Sequence, residues 1–403
     1  MVGVVKQNKE NICLLFEEKY DMIGLFQTGD WLNNSLITGD KQMRLIHCAD
    51  IHLDSRMEAN LTKEQAKLRK NELLLTFCDL VEYAGTHDVK AIMIVGDLFD
   101  TGRVAVRTRS VVMEQIIGHP QIDFYYVRGN HDQTWLSFEQ GALPDNLYLF
   151  DEDWKSYTYS GEAIAISGVE LSADNHLRVC NTLVLDSNLL NIVMMHGQVS
   201  HYSGKDQAEI INLRELRDKN IDYLALGHLH SYQIEPLDKR GICCYSGCLE
   251  GRGFDECGEK GFVLLDVKDG KIESQFIPFA RRTLFEVLVD LSGLQTAGEI
   301  EAAVAEQLSG IGKENLVKVL LQGNVEVDTP KDSDYLLSRF AGDYFFLKIY
   351  DQTKLDIHIE DYQNDVSLKG EFIRMVLSEK LPQERKTQII LNGIRTLSGE
   401  EID

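Results

Sequence analysis

Eight side chains along this sequence are of the types that bind metal ions or move protons, and each follows an apolar run. They are Asp50, His52, Asp97, Asn130, His131, His196, His228 and His230. The clearest case is Ala91-Ile92-Met93-Ile94-Val95, which reads as a buried strand that breaks at Gly96 and delivers Asp97. In open α/β sheets, sites lie outside the carboxyl ends of strands. A lone histidine beside a strand is more often a hydrogen-bonded structural residue than a ligand, and His119 and His201 stay in that class. The joint pattern is different. Asp-x-His, Gly-Asp, Gly-Asn-His-Asp, His-Gly and Gly-His-x-His each close an apolar run. Carboxylate, amide oxygen and imidazole together suit Mn²⁺, Fe or Zn²⁺ better than a thiolate set would. Two such ions about 3.5–4 Å apart can bridge a hydroxide and clamp a phosphoryl group for in-line displacement. Asp97 is the natural bridge, since its two oxygens and its charge offset repulsion between cations.

The elements that must position these residues alternate. Arg44 to Ala49 reads as a strand, residues 63–86 as a helix with Leu68, Leu73, Phe77, Leu80, Val81 and Ala84 inward, and Ala91 to Val95 as a strand. A helix over about 104–117 and a strand from Ile122 to Val127 follow. This β-α-β-α-β order implies a largely parallel sheet with right-handed crossovers. Shorter alternating runs over 147–169, strands at Leu190 to Met195 and Tyr223 to Leu226, a helix near 208–219 and hairpins filling 231–278 suggest a second sheet packed on the first. The fold class is therefore α/β, a β-sandwich flanked by helices.

Arg281-Arg282 closes a first domain of residues 43–282. A smaller α+β domain over 283–367 and helices within 368–403 follow, with Ile373, Val376 and Leu377 forming either a core stripe or a partner dock. Residues 1–42 fit neither part: Ile12 to Phe16 is too short, and too soon followed by charge, for a secretory segment. Met43 opens the first strand and offers an internal translation start.

Composition narrows the class. The 403 residues are 44% hydrophobic and 26% charged, enough for a sizeable core without disulfide staples. The eight cysteines are scattered apart from Cys243, Cys244, Cys248 and Cys257, whose spacing matches no structural zinc pattern. Reduced thiols in a cytoplasm are the expectation. No apolar run approaches the ~20 residues of a membrane helix. The formal charge of −23 argues against autonomous wrapping of nucleic acid but does not exclude a nuclease, because bound cations invert the local field and a partner can supply a basic track.

With these five motifs, residues 43–280 resemble the calcineurin-like metallophosphoesterase superfamily. The resemblance implies a first metal held by Asp50, His52, Asp97 and His230 and a second held by Asp97, Asn130, His196 and His228. It makes His131 the residue that orients or protonates the leaving oxygen, with Asp132 holding its imidazole. Ala49 to Asp54 and Gly96 to Asp100 look like the DNA-repair exonuclease branch of SbcD and YhaO type, as does the loop from Gly247 to Glu256, where Cys248 departs from the usual small residue. Thr101-Gly102 after Asp100 speaks against the protein phosphatases, which place Arg-Gly there. The branch implies a phosphodiesterase with two divalent ions, foremost Mn²⁺, acting on DNA ends beside an SMC-like ATPase of SbcC or YhaN type. It also implies a capping role for 283–367, a dock in the last helices, and homodimers. Arg128, Arg252 and Trp135 flank the site and either touch substrate or simply pack and pair. Two other functions stay open: a phosphodiesterase for cyclic or dinucleotide substrates, and a non-catalytic scaffold.

Overall fold

The computed structural model describes residues 42–57, 61–100, 104–132, 143–200, 210–326, 329–355 and 365–397. The expectations for residues 1–41, Trp135 and His201 lie outside these.

The chain opens with strand β1 (Met43–Cys48), helix α1 (Lys63–Thr86), β2 (Val89–Val95), α2 (Val106–Gly118), β3 (Asp123–Val127) and β4 (Leu147–Leu149). It continues through β5 (Lys155–Tyr159), β6 (Ile164–Gly168), the short α3 (Val179–Thr182), β7 (Leu190–His196), β8 (Gln198–Ser200), β9 (Ile210–Asn212) and the one-turn α4 (Leu213–Leu216). Next come β10 (Tyr223–Gly227), β11 (Gln233–Pro236), β12 (Ile242–Tyr245), β13 (Gly261–Lys268) and β14 (Lys271–Pro278). Two six-stranded sheets result, ordered β14-β13-β1-β2-β3-β4 and β11-β12-β10-β7-β6-β5. The site-bearing strands β1, β2 and β3 run parallel to one another, and so do β7 and β10.

Alternation along each strand builds the layers. Ile92, Ile94, Phe124 and Tyr126 face α1 and α2, while Ala91, Met93, Val95 and Tyr125 face the second sheet. In that sheet Met194 and Ala225 face inward, and Val193, Leu224 and Leu226 face a third apolar layer outside. Strands buried on both faces read as unbroken apolar runs, and those runs with their polar breaks located them. His47 is fully buried between the sheets. Its Nε2–H donates to the Leu226 carbonyl at 3.1 Å, and its Nδ1 accepts from the Tyr223 hydroxyl at 2.9 Å.

Three expectations are corrected. The Gly261–Pro278 hairpin does not belong to the second sheet; β13 pairs antiparallel with β1 and extends the first. The helix expected near 208–219 shrinks to a strand, Ile210–Asn212, and the single turn Leu213–Leu216. Helix α1 spans the expected residues and is closed at its start by a capping box between Thr62 and Gln65, but Leu68 is 44% exposed while Arg69 is 1% exposed. Arg69 turns inward because carboxylates wait there. It donates to Glu72 at 2.6 Å, to Glu250 at 3.0 Å and to the Gly251 carbonyl at 2.8 Å.

Beyond Arg282 lie β15 (Leu284–Asp290), α5 (Ala297–Leu308), β16 (Leu316–Gln322), β17 (Asn324–Val325), α6 (Ser333–Phe340), β18 (Phe346–Asp351) and β19 (Lys354–Leu355). Strands β15, β16 and β18 form a parallel three-stranded sheet around its own core of Val289, Val304, Val319 and Leu347. Arg282 is stacked 3.8 Å from the Phe345 ring centroid and pairs with Glu72 at 2.7 Å, so the junction is tied to α1. Helices α7 (Leu368–Ser378) and α8 (Gln383–Leu397) follow. Ile373 and Val376 are buried against Ile390 and Ile394, which makes that stripe core.

Two outcomes follow from the buried polar groups. Arg69→Met should destabilise the protein by about 3–5 kcal/mol in chemical denaturation, because Glu250 is left buried without its cation. Burial drives the His47 pKa down from 6.5 to about 3, against the pull of its bond to Leu226. The unfolded chain therefore binds this proton first, and stability present above pH 6.5 is lost as pH falls towards 3. His47→Gln should flatten that acid loss in pH-dependent denaturation curves.

Candidate metal centre

All the site residues lie where β1, β2, β3, β7 and β10 end. At these ends the backbone is bent out of its ordinary range. Asp50, His52, Asp97 and His228 have φ of +51°, +48°, +50° and +105°. Non-glycine residues held there cost on the order of 1–3 kcal/mol each and cluster at functional sites. The close approach of the two sheets explains two glycines. A Cβ on Gly96 (φ +82°) would stand 2.0 Å from His196 Nδ1, and one on Gly129 would stand 2.1 Å from Asp97 Oδ1.

Three imidazoles turn Nδ1 towards an acceptor, and His196 and His230 hydrogen-bond it. His52 Nδ1 faces Asp100 Oδ1 at 3.1 Å, His230 Nδ1 faces Glu256 Oε1 at 2.7 Å, and His196 Nδ1 faces the Val95 carbonyl at 3.0 Å. A carbonyl or carboxylate only accepts, so in the neutral rings of His196 and His230 Nδ1 carries the proton and Nε2 presents a lone pair, whereas His52 Nδ1 lies close to Asp100 without a hydrogen bond. The Nε2 atoms converge. His52 Nε2 and His230 Nε2 are 3.2 Å apart, and His196 Nε2 lies 3.1 Å from Asn130 Oδ1 and 3.5 Å from Asp97 Oδ2. Imidazole nitrogens, carboxylates and an amide oxygen gathered in a largely buried site form a donor set that fits divalent metal ions.

Asp50, His52 and His230 bring one ligand atom each within 4.8 Å of one another, and so do Asp50, Asp97 and His196. Asp97 joins the two groups through a single oxygen. Oδ2 lies 3.7 Å from His52 Nε2 and 3.5 Å from His196 Nε2, while Oδ1 accepts the His131 backbone N–H at 2.9 Å. The Asp50 carboxylate accepts the His228 N–H with both oxygens at 3.0 Å, and the His228 ring stands edge-on to His196 at 5.6 Å.

His131 is the exposed member, its side chain 46% accessible and its ring 5.0 Å from that of His52. The expectation that Asp132 holds its imidazole is corrected. The buried Asp132 carboxylate instead accepts backbone N–H groups of Phe99 at 2.9 Å, Gly129 at 3.0 Å and Leu98 at 3.3 Å, which knits two metal-site loops together. Burial, and then the charge of Asp97, pushes its pKa up to about 6. The group beside His131 is Asp100, whose carbonyl lies 3.3 Å from Nδ1 and whose carboxylate lies 3.9 Å away. Arg128 pairs with Glu170, and Arg252 spans Asp100 at 3.0 Å and Glu256 at 2.9 Å. His119 has a structural role at a helix end, bonded to the Gln115 carbonyl. The seven cysteines among the described residues are free thiols, and none enters a metal-ligating group.

Sequence reasoning missed Glu256 and the role of Asp100. Both stand inside recognisable motifs, yet a carboxylate behind a ligand leaves no local periodic signal.

Comparison with known proteins agrees with this geometry. Residues 43–232 match the family model described as calcineurin-like phosphoesterase. This segment is a calcineurin-like phosphoesterase domain. The chain that carries it is a metal-dependent phosphoesterase. It is 26% identical over 295 residues to the uncharacterized metallophosphoesterase YhaO of Bacillus subtilis, covering 70% of this chain and 72% of that one. It is 23% identical over 381 residues to the DNA double-strand break repair protein Mre11 of Sulfolobus acidocaldarius, covering 90% and 97%. It is also 26% identical over 325 residues to a subunit of the nuclease SbcCD in Staphylococcus saprophyticus, covering 72% and 80%. No helix among the described residues is long and apolar enough to cross a membrane.

Protonation of His196 competes with metal binding. Burial opposes the His196 imidazolium, yet the bond and charge of Asp97 outweigh it and hold its pKa up to about 9. A metal must displace that proton, so binding should release it and tighten as pH rises from 6 towards 9. Calorimetric Mn²⁺ titrations in buffers of different ionisation enthalpy measure both effects.

Proposed function

We propose that this chain is the nuclease component of a DNA end-processing complex, a phosphodiesterase that works with two divalent ions. The observation that carries the reading is the convergence of imidazole nitrogens, carboxylates and an amide oxygen beside an accessible histidine. In this assignment Asp50, His52, Asp97 and His230 hold one ion, and Asp97, Asn130, His196 and His228 hold the other. Mn²⁺ suits the mixed oxygen and nitrogen donors best. When bound, such an ion pair supplies Lewis-acid stabilisation of phosphoryl oxygens and a water of lowered pKa.

The protein's own contribution is orientation and proton delivery. Asp97 Oδ2 faces both groups because the His131 N–H occupies its other oxygen. In the protonated imidazole of His131, Nδ1–H donates to the Asp100 carbonyl, which leaves Nε2–H to donate to the departing oxygen of the diester. Asp132 serves this step only at one remove, by fixing the loops that bear Asp97 and His131.

DNA is the favoured diester because two relatives carry names tied to break repair and to a nuclease. The net charge of −23 suits a protein whose affinity for DNA comes from a partner, for which an SMC-like ATPase is our choice. Residues 283–367 would then cap the site, α7 and α8 would offer the dock, and a homodimer would present two sites. Free thiols throughout the described residues accord with a reducing cytoplasm. With the guanidiniums of Arg128 and Arg252 already engaged, phosphate binding through either requires it to exchange partners.

Incubation with Mn²⁺ and end-labelled DNA, alongside bis-p-nitrophenyl phosphate, tests the reading. Both substrates should be cleaved, DNA more efficiently once the ATPase is added. Cleavage of the small diester alone, with or without ATPase, would overturn the nuclease assignment. His131→Ala should lower turnover by about 10²–10⁴-fold with both ions retained, whereas Asp97→Ala should lose both, as elemental analysis of the purified variants will read.

A further inference from the structure

The segment from Gly251 to Gly258 touches the metal centre on one side and the C-terminal sheet on the other. On the inner side, Glu256 receives the Nδ1–H of His230 at 2.7 Å and the Arg252 backbone N–H at 2.7 Å. The Arg252 guanidinium joins Glu256 Oε1 at 2.9 Å to Asp100 Oδ1 at 3.0 Å, and that same Asp100 oxygen faces His52 Nδ1. One arginine therefore bridges the two carboxylates behind both imidazoles of the first metal position. On the outer side, the Phe254 ring meets Phe346 of β18 at 6.1 Å, with Lys318 of β16 lying 5.5 Å from its centroid. The Gly258 N–H donates to the Leu284 carbonyl at the start of β15 at 2.9 Å.

The second metal position is backed differently. His196 is held by the Val95 carbonyl of β2, inside the sandwich. Partners behind a ligand histidine set its ring orientation and basicity, and their loss costs about 10–100-fold in metal affinity. A shift of the 251–258 segment would be felt by His52 and His230 and not by His196.

We propose that segment 251–258 is a strut that ties metal affinity at the first position to the seating of the C-terminal sheet. Arg252 and Glu256 are then positioning residues, and Phe254 is the strut's outer foot. The idea rests on the two-ion reading above, but on its metal binding and not on its choice of substrate.

The test is Mn²⁺ titration of the full chain, with free ion followed by electron paramagnetic resonance and the two stepwise constants resolved. Glu256→Gln identifies the first position as the constant that weakens. Phe254→Ala, which touches no ligand, should weaken that same constant about tenfold and leave the other within twofold. Phe346→Ala should do the same, and the double variant should be no worse than either, since both remove one contact. Phe254→Leu should restore most of the affinity. Lys318→Ala, which leaves the ring contact intact, should shift the same constant in the same direction with an unchanged melting temperature for the metal-free protein. Unchanged constants in both phenylalanine variants, or equal weakening of the two, would overturn the strut. A wild-type chain that binds fewer than two ions would overturn the two-ion reading and the strut with it.

Discussion

The constraint on which this structure depends is the crowding of imidazoles and carboxylates at one end of a β-sandwich. His196 and His230 commit Nδ1 to fixed acceptors, which turns their Nε2 atoms inward towards Asp97 and His52. Left to itself the cluster would spread. It is held by five strand ends whose interiors are buried on both faces, and by Asp132, which takes three backbone N–H groups from the adjoining loops. The left-handed backbone at Asp50, His52, Asp97 and His228 belongs to the same account. Strain of that kind persists only where surrounding packing over-determines it.

A second layer of charge surrounds the first. Arg69, Glu72 and Glu250, all buried, and the half-buried Arg282 form a chain that ties α1 to the 249–252 loop and to the domain junction. Buried ion pairs contribute little net stability over apolar packing of the same volume, but breaking one is costly. Their effect here is on register. Glu250 also accepts the Thr76 hydroxyl at 2.8 Å and the Arg281 N–H at 2.6 Å, so one carboxylate fixes helix, loop and junction together. The loop so anchored is the one that carries Arg252 to Asp100 and Glu256 to His230.

The surface chemistry is asymmetric. Among the site histidines, His131 is the one turned most to solvent, while Asp50, Asp97, His52 and His196 are buried.

Much of this was legible from the chain alone. The strand ends that carry Asp50, Asp97, Asn130, His196 and His228 stand out because an apolar run followed by a polar break is a local pattern. Helix Lys63–Thr86 was readable for the same reason, with its period and its Thr62 cap both within a few residues. What only the tertiary structure decided involves partners far along the chain. Arg69 faces inward and Leu68 outward because Glu250, 181 residues away, supplies the charge. The Gly261–Pro278 hairpin joins the first sheet because β1 offers an open edge, which no turn signal announces. His131 finds Asp100 and not its chain neighbour Asp132, since the latter's carboxylate is already satisfied by backbone amides. Glu256 reaches His230 across 26 residues of hairpin. Side-chain type and local period determine which residues arrive at the site; long-range hydrogen bonding and the twist of two packed sheets decide how each one is turned.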